Sequence, residues 1–204
     1  LYSFIDKGVK MARVKIIPTD ALVIVDMQND FMPGGALPVP NSLTIIPKIN
    51  KYIELFIKAG ALIVATRDWH PPNHISFSTR GGPWPPHCVQ GSRGAEFHPD
   101  LKLPSGTVII SKGYKEDQEA YSGFEGTELH QILISKNVKR VFICGVATDY
   151  CVKATALDAL ALGYTVFVLE DAIKGVDIPR GSVDIAINEM LNRGSIFITI
   201  DDIT

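Results

Sequence analysis

The chain is 204 residues long with 46% hydrophobic and 21% charged positions, a mix that fills the core of one or at most two compact domains and excludes disorder. Its formal charge of -2, from 20 basic and 22 acidic residues, gives no one-signed field for nucleic acid or anionic lipid, and no apolar run approaches the roughly 18 residues a membrane helix needs. A small neutral ligand is expected, with no nucleic acid and no membrane as partners; the three cysteines, too few for a disulfide framework, suit a reducing cytoplasm.

Residues 1–17, where Leu1 opens the chain and a Met follows at 11, read as an N-terminal extension ahead of a single domain over 18–204. The first apolar run, residues 21–26, is followed by a helical pattern near 42–59 and a second run over 61–66. Residues 69–106 then show no helical or strand period, yet hold both tryptophans and four of the five histidines. Further runs at 107–111, 140–146, 165–169 and 195–200 alternate with helical stretches near 126–136, 148–162 and 180–193. The runs are short, continuous and rich in Val and Ile, as strands covered on both faces of a parallel sheet are. Gly60, Gly163 and Gly194 stand where left-handed helix C-caps are wanted. The expected fold is therefore α/β: a three-layer α/β/α domain with parallel strands and right-handed crossovers. Open sheets of this kind bind ligands at the carboxyl ends of their strands, and long structureless loops are usually functional, so the site is expected where residues 69–106 leave the second strand.

Ionisable and nucleophilic groups gather at those strand ends: Asp26, Arg67 with Asp68, Lys112, and Cys151 just past the fourth run. Cys151 is expected in the first turn of a helix capped by Thr148, where the helix dipole and free amides lower a thiol pKa and can hold an oxyanion. A nucleophilic thiol needs a base; no histidine falls at a strand end, so Asp26 is the candidate, held ionised by the Lys112 ammonium. Cys144 reads as an inert core residue, and Cys88 is undecided. In the long loop, Asp68 and His70 point the same way in extended chain, and His87 follows. An Asp/His/His set suits zinc, iron or manganese with positions left open. His74 is close enough in sequence to join but is not required; His98 and His130 read as solvated. Phe31, Trp84, Tyr121 and Tyr150 sit beside these motifs and are able to wall a flat ring.

The segments Asp26-Met-Gln-Asn-Asp-Phe31, Asp68-Trp-His70, Trp84-Pro-Pro-His87-Cys88, Ser111-Lys112-Gly113, Ala120-Tyr121-Ser-Gly-Phe-Glu-Gly126 and Gly145-Val-Ala-Thr-Asp-Tyr-Cys151 together resemble the nicotinamidase and pyrazinamidase members of the isochorismatase-like cysteine hydrolases, co-linearly over about residues 18–200. The resemblance implies a six-stranded parallel sheet of Rossmann-like type and a catalytic triad of Asp26, Lys112 and Cys151. It implies one divalent metal, zinc first with iron or manganese as alternatives, on Asp68, His70 and His87. It also implies an aromatic substrate pocket of Phe31, Trp84 and Tyr121, and a cis Val146–Ala147 peptide that turns the Ala147 and Cys151 amides into an oxyanion hole. The expected activity is hydrolysis of nicotinamide to nicotinate and ammonia through a thioester, with pyrazinamide also accepted, in NAD salvage. A ureido or carbamoyl-amine amidohydrolase and an isochorismatase are the alternatives on the same fold, and a non-catalytic ligand-binding domain is the alternative of another class. A homo-oligomer is compatible with the sequence. No G-x-G-x-x-G follows the first strand, which argues against a dinucleotide-binding dehydrogenase.

Overall fold

The computed structural model describes residues 13–204. Strands β1 (Asp20–Val25), β2 (Leu62–Asp68), β3 (Val108–Lys112), β4 (Arg140–Val146), β5 (Thr165–Lys174) and β6 (Ile196–Ile198) form one sheet in the order β3-β2-β1-β4-β5-β6. Every pairing is parallel. The chain runs outward from β1 to β3, returns to the other side of β1 as β4, and runs outward again. The order therefore reverses between β1 and β4, and their carboxyl ends open a crevice at that switch point.

Alternate residues of each strand feed two cores. Leu22, Ile24, Phe142 and Phe167 face α1 (Ile46–Ala59), which buries Ile49, Tyr52, Ile53 and Phe56 against them. Ala21, Val23, Val25, Ile143, Val166 and Val168 face the opposite layer, made by α2 (Leu129–Ser135), α3 (Lys153–Ala161) and α4 (Ser182–Asn192). All six residues of β1 are buried, and each buried aliphatic side chain contributes on the order of 1.5–3 kcal/mol, so groups at the ends of this strand are mounted on the firmest element of the fold.

The expected six-stranded, three-layer fold is the observed one, with local differences. Helix α1 is preceded by a 3-10 turn over Ser42–Ile45, and Pro47 lies in its first turn, where a missing N–H costs nothing. Gly60, Gly163 and Gly194 take the left-handed conformation expected of them. Strand β5 is longer than its apolar run: Glu170 and Asp171 interrupt the run, but Ile173 and Lys174 resume pairing with Gly145 and Val146 after a bulge. The expected helix over 148–162 is instead a π-helical turn, Thr148–Val152, followed by α3. Thr148 is not the N-cap; Ala147 occupies that position, and no side-chain cap bond forms. The long loop contains 3-10 turns at Ser78–Arg80 and Arg93–Ala95. At the amino end, Val14 bridges to Ile203 and Ile16 joins the core, while residues 1–12 of the expected extension lie outside the described residues. No helix among the described residues is long and apolar enough to cross a membrane.

Candidate active site

Parallel registry delivers the first group of side chains. Pairing of β2 with β3 sets Asp68 opposite Lys112, and pairing of β1 with β4 sets Val25 opposite Gly145, so Asp26 and the turn that carries Cys151 emerge side by side. Lys112 is fully buried; its Nζ lies 2.9 Å from Asp26 Oδ2 and 3.3 Å from Cys151 Sγ, and also touches Asp68 Oδ1. One ammonium thus joins two carboxylates and the sulfur. Thr66 Oγ1 donates to Asp26 Oδ1 at 2.7 Å, whereas Oδ2 has no aligned hydrogen-bond donor among the described residues, although the ammonium is close to it. That oxygen is ion-paired to the ammonium and faces the Cys151 side of the cluster. Cys151 is 6% exposed and lines the pocket below, so its sulfur is within reach of a ligand.

The electrostatics of this cluster follow from burial. Desolvation pushes the Cys151 thiol well up, and the nearby Asp26 and Asp68 carboxylates add to the rise; Lys112 opposes them without prevailing. The expected lowering of the thiol pKa at a helix end is therefore corrected. The turn is buried, and the cost of a charged sulfur there outweighs the backbone dipoles. Burial also raises the Asp26 carboxyl, against the pull of Lys112. Asp68 moves the other way: burial favours its neutral form, but Lys112 and the His70 and His87 imidazoles together hold it well below the usual carboxylate range. Burial disfavours the Lys112 ammonium, yet Asp26 and Asp68 keep its pKa well above normal. The arrangement holds a neutral thiol beside a carboxylate of raised basicity, which is a poised pair for proton transfer during attack.

The second group is supplied by the loop that follows β2. Asp68 Oδ2 faces His70 Nε2 at 3.6 Å and His87 Nε2 at 3.8 Å, and all three residues are buried. Their donor atoms lie within 4.8 Å of one another, close enough to hold one cation. Each imidazole is oriented from behind: His70 Nδ1 donates to the Gly113 carbonyl at 2.9 Å and His87 Nδ1 to the Pro85 carbonyl at 2.7 Å, so both Nε2 atoms are aimed at Asp68 Oδ2. Gly113 has φ +59°, and a Cβ there would meet His70 Cε1 at 2.5 Å, so the close support of that ring requires glycine. These donors fit a divalent cation. His74 stacks on His70 but does not join the three; its Nδ1 pairs with Ser76 Oγ and its Nε2 with the Gln118 carbonyl.

Between the two groups lies a small pocket that touches Asp68, His70 and His87 on one side and Cys151 on the other. Phe31, Trp84, Tyr121 and Tyr150 form its aromatic walls, with Val176 beside them and Ala147 next to the sulfur. Trp84 Nε1 donates to Tyr121 Oη at 2.9 Å, and Trp84 stands edge-on to Tyr150, so the walls brace one another. The Val146–Ala147 peptide is cis. Arg67 turns away from the pocket, bonding Ser111 and stacking on Trp69. Cys144 is buried in the core, and Cys88 is buried behind His87 with its amide bound to Asp30 Oδ2. His98 and His130 lie outside the site; His130 pairs with Tyr164.

Two supporting residues escaped the sequence reading. Thr66 is an inconspicuous strand residue whose hydroxyl meets Asp26 only because β1 and β2 are in register. Gln28 sits inside a quoted motif, but its role needs coordinates: its Oε1 accepts from the Asp68 amide, and its Nε2 donates to the Asp68 and Ala95 carbonyls.

A family model for the isochorismatase domain matches residues 20–202. A nicotinamidase of Acinetobacter baylyi is 40% identical over 204 residues, covering 89% of this chain and 93% of that protein. Among solved structures, a pyrazinamidase of Pyrococcus horikoshii in complex with zinc superposes with a TM-score of 0.86 at 60% identity, covering 90% of this chain and 100% of that chain. PnC1 of L. infantum in complex with nicotinate gives a TM-score of 0.85 at 37% identity, covering 94% and 99%.

Proposed function

The chain belongs to the isochorismatase family, and on that premise we propose that it hydrolyses nicotinamide to nicotinate and ammonia, accepting pyrazinamide as well. The observation that carries the reading is the position of Lys112 Nζ, close to Asp26, Asp68 and Cys151 at once, so that a base and nucleophile share one pocket with a cation-binding set.

Asp68, His70 and His87 would hold the ion, and zinc is the favoured identity because one carboxylate and two imidazoles with an open position suit it and the Pyrococcus relative was solved with it. When bound, the ion supplies an electron-pair acceptor for a ring nitrogen. Phe31, Trp84 and Tyr121 clamp the flat ring and exclude water, directing the carboxamide to the sulfur. Cys151 Sγ attacks the carboxamide carbon as its proton passes to Asp26 Oδ2, and the carbonyl electron pair moves onto oxygen. The Ala147 and Cys151 amides hold that oxyanion. On collapse, the C–N bond breaks, Asp26 returns the proton to the leaving nitrogen, and ammonia departs from a thioester. Water then attacks the thioester with Asp26 as base; the acid leaves and the proton returns to sulfur. Lys112 keeps Asp26 in place and offsets negative charge through both halves. We place this activity in NAD salvage, in a reducing cytoplasm that suits its free cysteines.

Ammonia release decides the matter. Cys151→Ala is expected to lose at least about 10⁴-fold in kcat, as removal of a covalent nucleophile does. Undiminished release would overturn the reading. Benzamide, which lacks only the ring nitrogen, is expected to be a poor substrate, and preference for a ureido compound over any pyridine carboxamide would favour the carbamoyl-amine alternative.

A further inference from the structure

We propose that Asp149 is a positioning residue that fixes the pocket wall at Val176 and so sets which ring substituents the site admits; the inference rests on the amidohydrolase reading of the pocket. Asp149 precedes the nucleophile by two residues, is 6% exposed, and takes no part in the proton transfers above. Its carboxylate is filled entirely by one neighbouring segment. Oδ1 accepts from the Val176 amide at 2.9 Å, and Oδ2 accepts from the Asp177 amide at 2.9 Å and from Ser182 Oγ at 2.6 Å. Tyr150, the next residue, donates its hydroxyl to the Ile178 carbonyl at 2.8 Å. Both residues before Cys151 therefore hold the segment that leads from β5 to α4.

Residues 177–180 are exposed and lack regular structure; Asp177 Oδ1 ties them to the start of α4 by accepting from the Gly181 and Val183 amides, Val176 packs against the core, and the Asp149 carboxylate joins this segment to the turn of the nucleophile. The approach is tight as well as bonded: a Cβ on Gly175 would meet Val183 Cγ2 at 2.3 Å and Asp149 Oδ1 at 2.9 Å. Val176, the residue next to this contact, lines the pocket. Because the carboxylate and the nucleophile ride on the same π-helical turn, the distance between sulfur and wall is set by the turn itself.

The test uses two variants that reach the wall by different routes. Asp149→Asn replaces an acceptor oxygen by a donor against one of three donors, and Gly175→Ala displaces the segment sterically while leaving the carboxylate intact. For both, KM for nicotinamide is expected to rise about tenfold with kcat within about threefold, since the lost contact positions the ring and not the reacting atoms. Discrimination against ring-methylated nicotinamides, which a close apolar wall makes about tenfold or more per methyl group, is expected to shrink severalfold. A purely structural tie would lower the melting temperature and leave KM and selectivity unmoved, and that result in Gly175→Ala and in folded Asp149→Asn would overturn the inference. If Asp149→Asn does not fold, Ser182→Ala, which removes one of the three donors, takes its place with a smaller shift in the same direction. Failure of the unsubstituted chain to release ammonia from nicotinamide would remove the functional reading and this inference with it; an active chain with indifferent variants removes the inference alone.

Discussion

Asp20 and Asp26 stand at the two ends of β1, both buried, and each meets a basic residue from another strand. At the amino end, Arg140 closes on Asp20 with a fork: Nε reaches Oδ1 at 2.7 Å and Nη2 reaches Oδ2 at 2.6 Å, while the Ile17 amide adds a bond to Oδ2 at 2.8 Å. Both oxygens are satisfied, and a guanidinium gives up no proton near neutral pH. At the carboxyl end, Asp26 has one oxygen taken by Thr66 and one without an aligned donor, and its cation is shared with Asp68 and Cys151. One residue type on one strand therefore ties the fold at one end and is left chemically unfinished at the other. The sharing of the counter-ion distinguishes the two, since burial of the carboxylate does not.

Substitutions that treat the two ends alike should produce opposite outcomes. Asp26→Asn is expected to lower kcat by about 10³ to 10⁴-fold, the upper part of the range for a lost general base, while thermal melting changes little because the buried Lys112 ammonium keeps Asp68 as its partner. An Asp26→Asn protein that releases ammonia at a tenth of the normal rate would erase the contrast. Asp20→Asn is expected to do the reverse, costing about 3 kcal/mol of stability in denaturant titration by leaving Arg140 without its partner, with KM and kcat unchanged. Gln28→Ala removes the clamp on the Asp68 backbone and is expected to weaken zinc binding about 10 to 100-fold, read by competition with a chromophoric chelator. The smallest effect is expected from Thr66→Val, about 1 kcal/mol in kcat/KM. The Thr66 hydroxyl lowers the Asp26 pKa by bonding its charged form, so its removal raises that pKa; the base is then protonated up to a higher pH, and the acid limb of the rate profile moves upward in pH. A limb that moves downward would show that another group carries the base.

Much of the scaffold was legible because side chains in a doubly covered strand must be apolar, and residues 21–26, 61–66 and 140–146 follow that rule closely; the run over 107–111 supplies the edge strand, where Ile109 is apolar yet exposed. The reading failed where polarity served tertiary ends. Glu170 and Asp171 seemed to close β5, yet Asp171 is turned toward Tyr52 and Lys48 of α1 across a bulge, and the strand continues beyond it. Thr148 had the residue type of an N-cap, but the chain enters a π-helical turn through a cis peptide, and Ala147 takes the position. At the site, short-range pattern picked out Asp26, Asp68, His70, His87, Lys112 and Cys151, all of which the fold brings to one pocket or its immediate wall. His74 was ambiguous in spacing and is occupied elsewhere by Ser76 and Gln118.

Local order along the chain by itself determined the layering of this protein, the carboxyl-end location of its chemistry and the residue types available there, since strand period and turn chemistry act between near neighbours. Tertiary structure alone decided that Asp26 shares its cation with Asp68 and Cys151, that burial pushes the Cys151 thiol up and that the Asp149 carboxylate accepts from the Val176 amide. Those properties depend on desolvation and on donors from strands and loops far away in sequence, and both quantities exist only once the chain has closed around them.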